Sequence, residues 1–425
     1  MKVGVVGLGY VGLPLISAFC KKGVPCIGFD IDDKRVQLIS DSKSFLDEPS
    51  DSDLENFKKE NLLNVTTDFS KIKEVDHIAI CVPTPIDTHR KPNLNYVINS
   101  VRSITEFLQK GTLISLESTT YPGTTREILK PLIEDQGFKV GTDIFLAFSP
   151  EREDPGNKKF NLSNTPKVVS GLTKLCAENA KNFYSKICNQ IVMVNSLEVA
   201  ETTKLLENIQ RSVNIGLMNE MKIFAEKMNI NLFEVIDAAA TKPFGFSKYY
   251  PGPGVGGHCI PVDPFYLTYK AKEFNLDTKF IELAGEINRS MPNFIIKNIS
   301  NTLNSINLSI SSSKILCLGL SYKKNVADTR ESPPIEIFNS LKISGCDVDF
   351  SDPHLDKFPP TKKYNYNDKS IDINKKSLSK YDLIVLLTDH DAFDYNLILD
   401  NSSRIIDTRG RYHSLGIKSE KITIS

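Results

Sequence analysis

Residues 251–264 read PGPGVGGHCIPVDP. Glycine and proline crowd the stretch ahead of Cys259, so a thiol there has little side-chain core to pack into. A small buried thiol is the commoner fate of a cysteine, but a backbone-dense loop favours a reactive one. Asp263-Pro264 reads as an N-cap followed by proline at the first helical position, opening the stretch FYLTYKAKEF. A helix N-terminus beside a thiol favours the thiolate, which is the nucleophilic form. His258 is either a base for that thiol or a ring packed into the glycine loop.

A second cluster opens the chain. Gly7, Gly9 and Gly12 form G-x-G-x-x-G directly after the apolar run Lys2–Val6 and before a helical stretch. In this context the first glycine permits a tight turn, the second lets backbone approach a pyrophosphate, and the third allows close helix–strand packing. Tyr10 and Val11 complete the turn, and the pyrophosphate would rest on N–H groups at the helix N-terminus. Asp30 ends the next strand. An acid there accepts hydrogen bonds from a ribose diol and repels a 2′-phosphate, which favours NAD over NADP. Arg35, at the start of the following helical stretch, joins the candidate cofactor contacts. The bland alternative for the triplet is a tight turn in a generic α/β domain.

Other strand ends place polar groups at the same sheet edge. Val82-Pro83-Thr84-Pro85 follows one apolar run, Ser118-Thr119 another and Pro150-Glu151 a third. Ligands of open α/β sheets bind beyond the carboxyl ends of strands. Pro83, Thr84, Thr119 and Glu151 are therefore expected to face cofactor and substrate. A turn-forming hydroxyl and a solvated loop acid are the alternatives for Thr119 and Glu151. Lys204 and Asn208, four apart, share one helix face, where an amine and an amide could stabilise an oxyanion or hold water. A solvated helix face is the competing account.

The elements that must position these groups alternate strand and helix. KVGVVG, PCIGFD, DHIAICVP, TLISLES and DIFLAFSP are short apolar runs ending in turn residues, and VVSG and QIVMV continue the pattern. That is the signature of a parallel, doubly wound sheet. Ser196–Met228 then runs without proline and reads as one long spine helix supporting a dimer. A pair of helices broken near Gly216 is the alternative, and it suits the usual helix length better. KILCLGL, CDVDFSDP, DLIVLLTD and RIIDTRG form a second α/β segment, with Asp352 after its second strand. Its first turn, LGLSYK, lacks the glycine triplet. Thr361–Lys380 reads as an exposed connection. The expected fold is α/β, two Rossmann-like doubly wound domains joined by a long central helix. Its domains are 1–195, binding NAD; 196–300, helical and carrying the cysteine loop; and 301–425, binding a UDP-sugar.

Composition narrows the class of protein. The chain has 425 residues, 40% hydrophobic and 24% charged, with 52 basic and 52 acidic side chains. That is ordinary for a globular protein of two or three domains. No sustained basic block favours nucleic acid. No signal peptide or apolar run of about 20 residues points to export or a membrane, so a cytoplasmic location is expected. Eight cysteines without metal-ligand spacing read as reduced thiols, and no metal is expected.

Taken together, GLGYVGLP, SPERE (Ser149–Glu153), AETTKLLEN (Ala200–Asn208), GPGVGGHCIPVDP and LGLSYKKNVADTRESP (Leu318–Pro333) resemble the UDP-glucose/GDP-mannose dehydrogenases. The resemblance spans nearly the whole chain. It implies two successive hydride transfers to NAD from the C6 alcohol of a nucleotide sugar, with the aldehyde captured by cysteine and released as a carboxylate through a thioester. By position Cys259 is the nucleophile, and Lys204 and Asn208 stabilise the oxyanion. Asp263 and Thr119 position water or move protons, and Glu151 serves thioester hydrolysis. Lys323 and Arg409 match contacts to the nucleotide sugar. Arg152, Tyr250 and Gly256 join the candidate sugar contacts, and Lys323 is also counted towards the cofactor. The family's dimerisation through its long helix implies a homodimer. GGHCIPVDP, with Val262 between Pro261 and Asp263, resembles the branch acting on N-acetylated sugars. TKPFGF (Thr241–Phe246) resembles its N-acetylglucosamine members, because N-acetylmannosamine enzymes tend to carry arginine where Phe244 stands. UDP-glucose or UDP-N-acetylmannosamine is the alternative substrate. Outside this class the alternatives are an NAD-binding redox sensor without turnover and a two-electron dehydrogenase using a lysine base.

Overall fold

The structure, a computed structural model, describes every residue except 47, 88–89, 153–158, 258 and 362–363. The chain divides into two compact units. One comprises Met1–Glu207 with Phe265–Asp277, the other Asn208–Pro264 with Thr278–Ser425.

The first unit is built on eight strands: β1 (Val3–Val6), β2 (Cys26–Phe29), β3 (Leu63–Thr66), β4 (His77–Ile80), β5 (Leu113–Leu116), β6 (Phe145–Phe148), β7 (Lys167–Gly171) and β8 (Ile191–Met193). They pair in the order β3-β2-β1-β4-β5-β6-β7-β8. Runs such as VGVV and LISL are buried at every position, as a sheet covered by helices on both faces requires. One face packs against Leu13, Ile16, Phe19 and Phe183, the other against Val97, Val101 and Ile104. The strand order reverses between β1 and β4, the point at which such sheets bind ligands.

The parallel pattern expected from the sequence holds through β6 and then fails. β7 runs antiparallel to β6, with Ala147 opposite Gly171 and Phe148 opposite Ser170. A parallel return needs a crossover, usually a helix. None of the described residues of 149–166 is helical.

Leu197–Lys227 is a single helix of 31 residues, so the two-helix alternative is excluded. The glycine that suggested a break has another purpose. A Cβ on Gly216 would lie 3.2 Å from the Cα of Ala284 in helix Lys279–Asn304. Gly216 is where two helices of the second unit approach each other closely.

The second unit carries five parallel strands: β9 (Lys314–Leu318), β10 (Asp347–Ser351), β11 (Leu383–Leu386), β12 (Ile405–Asp407) and β13 (Ile422–Ile424), in the order β10-β9-β11-β12-β13. The Thr361–Lys380 segment is not the exposed connection its polarity suggests. The Tyr366 ring packs edge-on against Phe358 at 5.1 Å, and its hydroxyl donates to Asn339 at 2.6 Å. Ile371 and Ile373 pack against the core on the other face. A few apolar side chains among many polar ones are enough to seat the segment.

Among the described residues no helix is long and apolar enough to cross a membrane, and no group of three or more His, Cys, Asp or Glu side chains is placed to hold a metal ion.

Gly216→Leu forces a side chain against the Ala284 backbone, and overpacking of that kind costs about 1–3 kcal/mol. Its thermal midpoint should fall by several degrees, with Gly216→Ala shifting less. An unchanged midpoint in the leucine variant would mean the helices can part freely.

Candidate active site

The glycine turn follows β1. Gly7 has φ +92°, and its N–H donates to the Phe29 carbonyl at the end of β2, 2.8 Å away. A Cβ on Gly12 would lie 1.9 Å from the Gly7 oxygen, so helix Gly12–Cys20 can start only where that side chain is missing. By contrast, among the described residues nothing lies within 4 Å of a Cβ built on Gly9. The helix has Val11 at its N-cap, no side-chain cap and no acid in its first turn. Uncapped N–H groups beside open space suit a pyrophosphate, so the residues present fit a dinucleotide. Tyr10 is exposed here, its ring edge-on to Phe45 at 6.3 Å.

Asp30 is buried at the end of β2. Its carboxylate accepts from Leu8 N–H at 2.8 Å, from Asp32 N–H at 3.0 Å and from Arg35 Nη1 at 3.1 Å. Arg35 lies on the following helix, Asp33–Ser40, and reaches back to the acid across the Phe45 ring, 5.7 Å from its centroid.

The loops after β4 and β5 are stitched together. Thr84 Oγ1 donates to the Thr119 carbonyl at 2.8 Å, and Ser118 Oγ donates to Val82 at 2.7 Å. The Thr84 carbonyl accepts from the Tyr266 hydroxyl. Pro83 lies between these ties. Thr119 is half-buried. Its neighbour Thr120 is fully buried, with a hydroxyl that meets no partner among the described residues. An unmade hydrogen bond of that kind costs about 1–3 kcal/mol. The sequence offers two adjacent threonines and no means of telling which is turned inward.

Nothing in the sequence singles out Glu201 either. It lies on the long helix, fully buried, and accepts from Gly123 N–H at 2.6 Å, Thr125 N–H at 2.9 Å and Thr125 Oγ1 at 2.7 Å. It thereby caps the turn that follows Thr119 and Thr120. Burial pushes its pKa up to about 7, against the pull of those donors. One turn later Lys204 Nζ donates to the Glu151 carbonyl at 2.6 Å and stands 3.6 Å from its carboxylate. Arg152 pairs with Glu207 at 2.7 Å and donates to the Pro166 carbonyl at 2.6 Å. Beneath Pro150 lies a buried ion pair, Lys167 with Glu117 at 2.9 Å, completed by the Tyr184 hydroxyl on Glu117 at 2.7 Å. Burial works against the charge on Lys167, but Glu117 outweighs it and holds the amine above its ordinary value. The Pro150–Glu151–Arg152 turn is thus held on several sides.

In the second unit Cys259 is exposed, whereas the other seven cysteines of the chain are buried. Asp263 is the first residue of helix Asp263–Ala271, so the helix begins one residue earlier than a capping role for it would require. Its carboxylate accepts from Asn208 Nδ2 at 2.6 Å, both side chains being buried. The N–H groups of Val262 and Asp263 donate to the Cys259 carbonyl at 3.2 and 2.8 Å. Cys259 therefore stands one turn ahead of a helix N-terminus. His258 lies outside the described residues.

The glycine loop before Cys259 is anchored at several points. Gly252 N–H donates to Asn219 Oδ1 at 3.0 Å, and Gly257 N–H donates to the Arg330 carbonyl at 2.9 Å. A Cβ on Gly256 would come within 2.6 Å of the Tyr322 side chain, so only glycine lets the loop sit this close. Arg409 donates to the Leu387 carbonyl at 2.8 Å and to Tyr322 at 3.4 Å, with its guanidinium against Gly252. Tyr250 donates to Asp237 at 2.5 Å, and Lys248 pairs with the same acid at 2.7 Å. Lys323 is half-buried in the turn after β9. Thr119, Glu151, Arg152 and Lys204 thus belong to the first unit, and Asn208, Tyr250, Gly256, Cys259, Asp263, Lys323 and Arg409 to the second.

Residues 1–188 match the NAD binding domain of the UDP-glucose/GDP-mannose dehydrogenase family, residues 198–290 its central domain and residues 316–414 its UDP binding domain. The chain is 34% identical over 395 residues to the UDP-N-acetyl-D-glucosamine 6-dehydrogenase of Salmonella typhi, spanning 92% of this chain and 91% of that protein. It is 36% identical over 397 residues to a UDP-N-acetyl-D-mannosamine dehydrogenase of Methanococcus maripaludis, spanning 92% and 87% respectively. A solved UDP-D-ManNAc dehydrogenase from Pyrococcus horikoshii superposes with a TM-score of 0.87 at 32% identity, over 96% of this chain and 95% of that one. With its glycine turn and its three matched domains, the chain belongs to the UDP-glucose/GDP-mannose dehydrogenase family and is an NAD-dependent nucleotide-sugar dehydrogenase.

Proposed function

We propose that the enzyme oxidises the C6 alcohol of a UDP-sugar, UDP-N-acetylglucosamine foremost, to the uronic acid in two steps without releasing the aldehyde. The observation that carries this reading is Cys259, the one exposed thiol among eight, fixed by its carbonyl one turn ahead of a helix N-terminus. A thiol so placed is favoured as the thiolate. The Gly7–Gly12 turn and Asp30 would hold NAD, which would supply the hydride acceptor for each oxidation.

The remaining chemistry falls to side chains. The Cys259 thiolate adds to the C6 aldehyde, giving a thiohemiacetal, and loss of the second hydride leaves a thioester. Water then attacks the thioester, releasing the carboxylate and restoring the thiol. Lys204 and Asn208 serve as donors to the oxyanion of these steps. Asp263, Glu151 and Thr119 position water and carry protons. Lys323, Arg409, Arg152, Tyr250 and Gly256 hold the nucleotide sugar. For the sugar, Phe244 in place of an arginine favours N-acetylglucosamine over N-acetylmannosamine. The product would feed surface-polysaccharide synthesis in the cytoplasm.

The long helix also supports a homodimer. Leu217, Met221, Phe224 and Met228 recur at helical spacing, all exposed and the last two more than half so, at 55% and 58%. A stripe of this kind marks an interaction face.

Three outcomes test the proposal. NADH formed against sugar consumed should approach two to one across a panel of UDP-sugars, with the N-acetylglucosamine form fastest; a ratio of one would rule out the thioester. Cys259→Ala should lose acid formation by a factor of about 1,000 or more, as other nucleophile deletions do, while its NAD affinity stays within about twofold. Full activity in that variant would remove the thiol from the mechanism, and no NADH with any sugar would favour a redox sensor. Phe224→Glu should shift the native mass, read by light scattering, from dimer towards monomer; a wild-type monomer would refute the dimer.

A further inference from the structure

The turn after β9 repeats the construction of the turn after β1. Gly319 has φ +83°, and its N–H donates to the Ser351 carbonyl at the end of β10, 2.8 Å away. Asp352, next along, takes the place that Asp30 holds in the first unit. It accepts from Leu320 N–H at 2.8 Å, Ser321 N–H at 3.1 Å and Ser321 Oγ at 3.2 Å. Its other oxygen accepts from His354 N–H at 2.9 Å.

The two turns differ in what faces the acid. Asp30 meets Arg35 near the surface. Asp352 meets His390 Nε2 at 3.2 Å, and both side chains are fully buried. The second ring nitrogen of His390 accepts from Asn325 N–H at 2.9 Å. A backbone N–H can only donate, so Nδ1 is unprotonated and Nε2 carries the hydrogen that goes to Asp352. One neutral imidazole therefore closes the turn at both ends, Leu320–Ser321 through Asp352 and Asn325 directly. The ring is itself pinned, at 4.9 Å from His354 and 5.6 Å from Phe393. Between the two fixed ends stand Tyr322 and Lys323. The Tyr322 side chain backs Gly256 and Gly257 of the cysteine loop, and its carbonyl accepts from Arg409.

We propose that His390 is a positioning residue for the nucleotide half of the substrate, setting the Ser321–Asn325 turn so that Lys323, Tyr322 and Arg409 present one preformed surface to the UDP moiety. The inference rests on the UDP-sugar reading above. It needs no contact between His390 and the ligand. A turn that must be ordered at the moment of binding draws that cost from affinity, so loosening it should weaken UDP and leave NAD alone.

The test uses the full-length protein and UDP itself as the probe, with binding followed by calorimetry. His390→Phe removes both contacts and should raise the UDP dissociation constant about tenfold, equivalent to about 1.4 kcal/mol. NAD affinity should stay within about twofold. In turnover the KM for the sugar should rise while kcat falls less than about threefold. His390→Asn can still offer an acceptor to Asn325 N–H, and His390→Gln can still offer a donor to Asp352, so each should recover part of the loss. A folded His390→Phe that binds UDP like wild type overturns the proposal, and so does one that loses UDP and NAD affinity in equal measure. If the phenylalanine variant does not fold, the other two decide: wild-type UDP affinity in both overturns it. A wild-type enzyme that fails to bind UDP would instead refute the UDP-sugar reading itself.

Discussion

A buried polar group must find a partner, and the long helix carries a row of them. Glu201, Lys204, Asn208, Ser212, Asn219 and Lys222 follow one another at intervals of three, four or seven and are all buried. Intervals of that kind keep them on one face. Leaving any of them unsatisfied costs about 1–3 kcal/mol, more for a charge. Four of them find partners in the turns and loops of the candidate site: Gly123 and Thr125 for Glu201, Glu151 for Lys204, Asp263 for Asn208 and Gly252 for Asn219. Each tie lies within a single unit.

This arrangement makes stability and preorganisation the same problem. Groups that stabilise a transition state must already be in place, because reorganising them during reaction consumes their effect. Here the turns that present Thr119, Glu151 and Asp263 are fixed by the hydrogen bonds that keep the helix face from being orphaned. Asn288 extends the idea inside the second unit. It accepts from Asn219 at 2.9 Å and donates to the Ser212 carbonyl at 3.0 Å, so the anchor of the glycine loop is itself anchored.

Much of this was legible in the sequence, for reasons that are local. Glycines at fixed offsets, apolar runs ending in Pro, Ser or Thr, and a cysteine among glycines each report a backbone requirement. What was not legible depended on partners distant along the chain. The antiparallel pairing of β7 with β6 depends on how the chain arrives there, and the residues of VVSG do not report it. Asp263 resembles an N-cap until Asn208, 55 residues earlier, claims its carboxylate. Glu201 and Glu198 look alike on a helical wheel, but one is buried under a turn and the other pairs with Arg126 at the surface. Tyr366 sits in a polar stretch, yet only the three-dimensional neighbours Phe338, Phe358 and Asn339 reveal it as core.

The repeated turn explains why two similar units bind different ligands. A carboxylate offers about four acceptor sites. Asp352 receives Leu320, Ser321 twice and His390 on one oxygen and His354 on the other, and its side chain is fully buried, so it is not presented to a ribose diol. Asp30 receives two backbone N–H groups and Arg35, and that arginine is 37% exposed and long enough to swing aside. The same fold and the same acid thus give one turn that can take a dinucleotide and one that is closed to it. In the second unit ligand recognition has to move outward, to the side chains on the turn and to the glycine loop packed against it. An acid used as a staple fixes that turn, and the two-step oxidation proposed above would draw on a fixed turn beside the thiol loop to hold the sugar throughout.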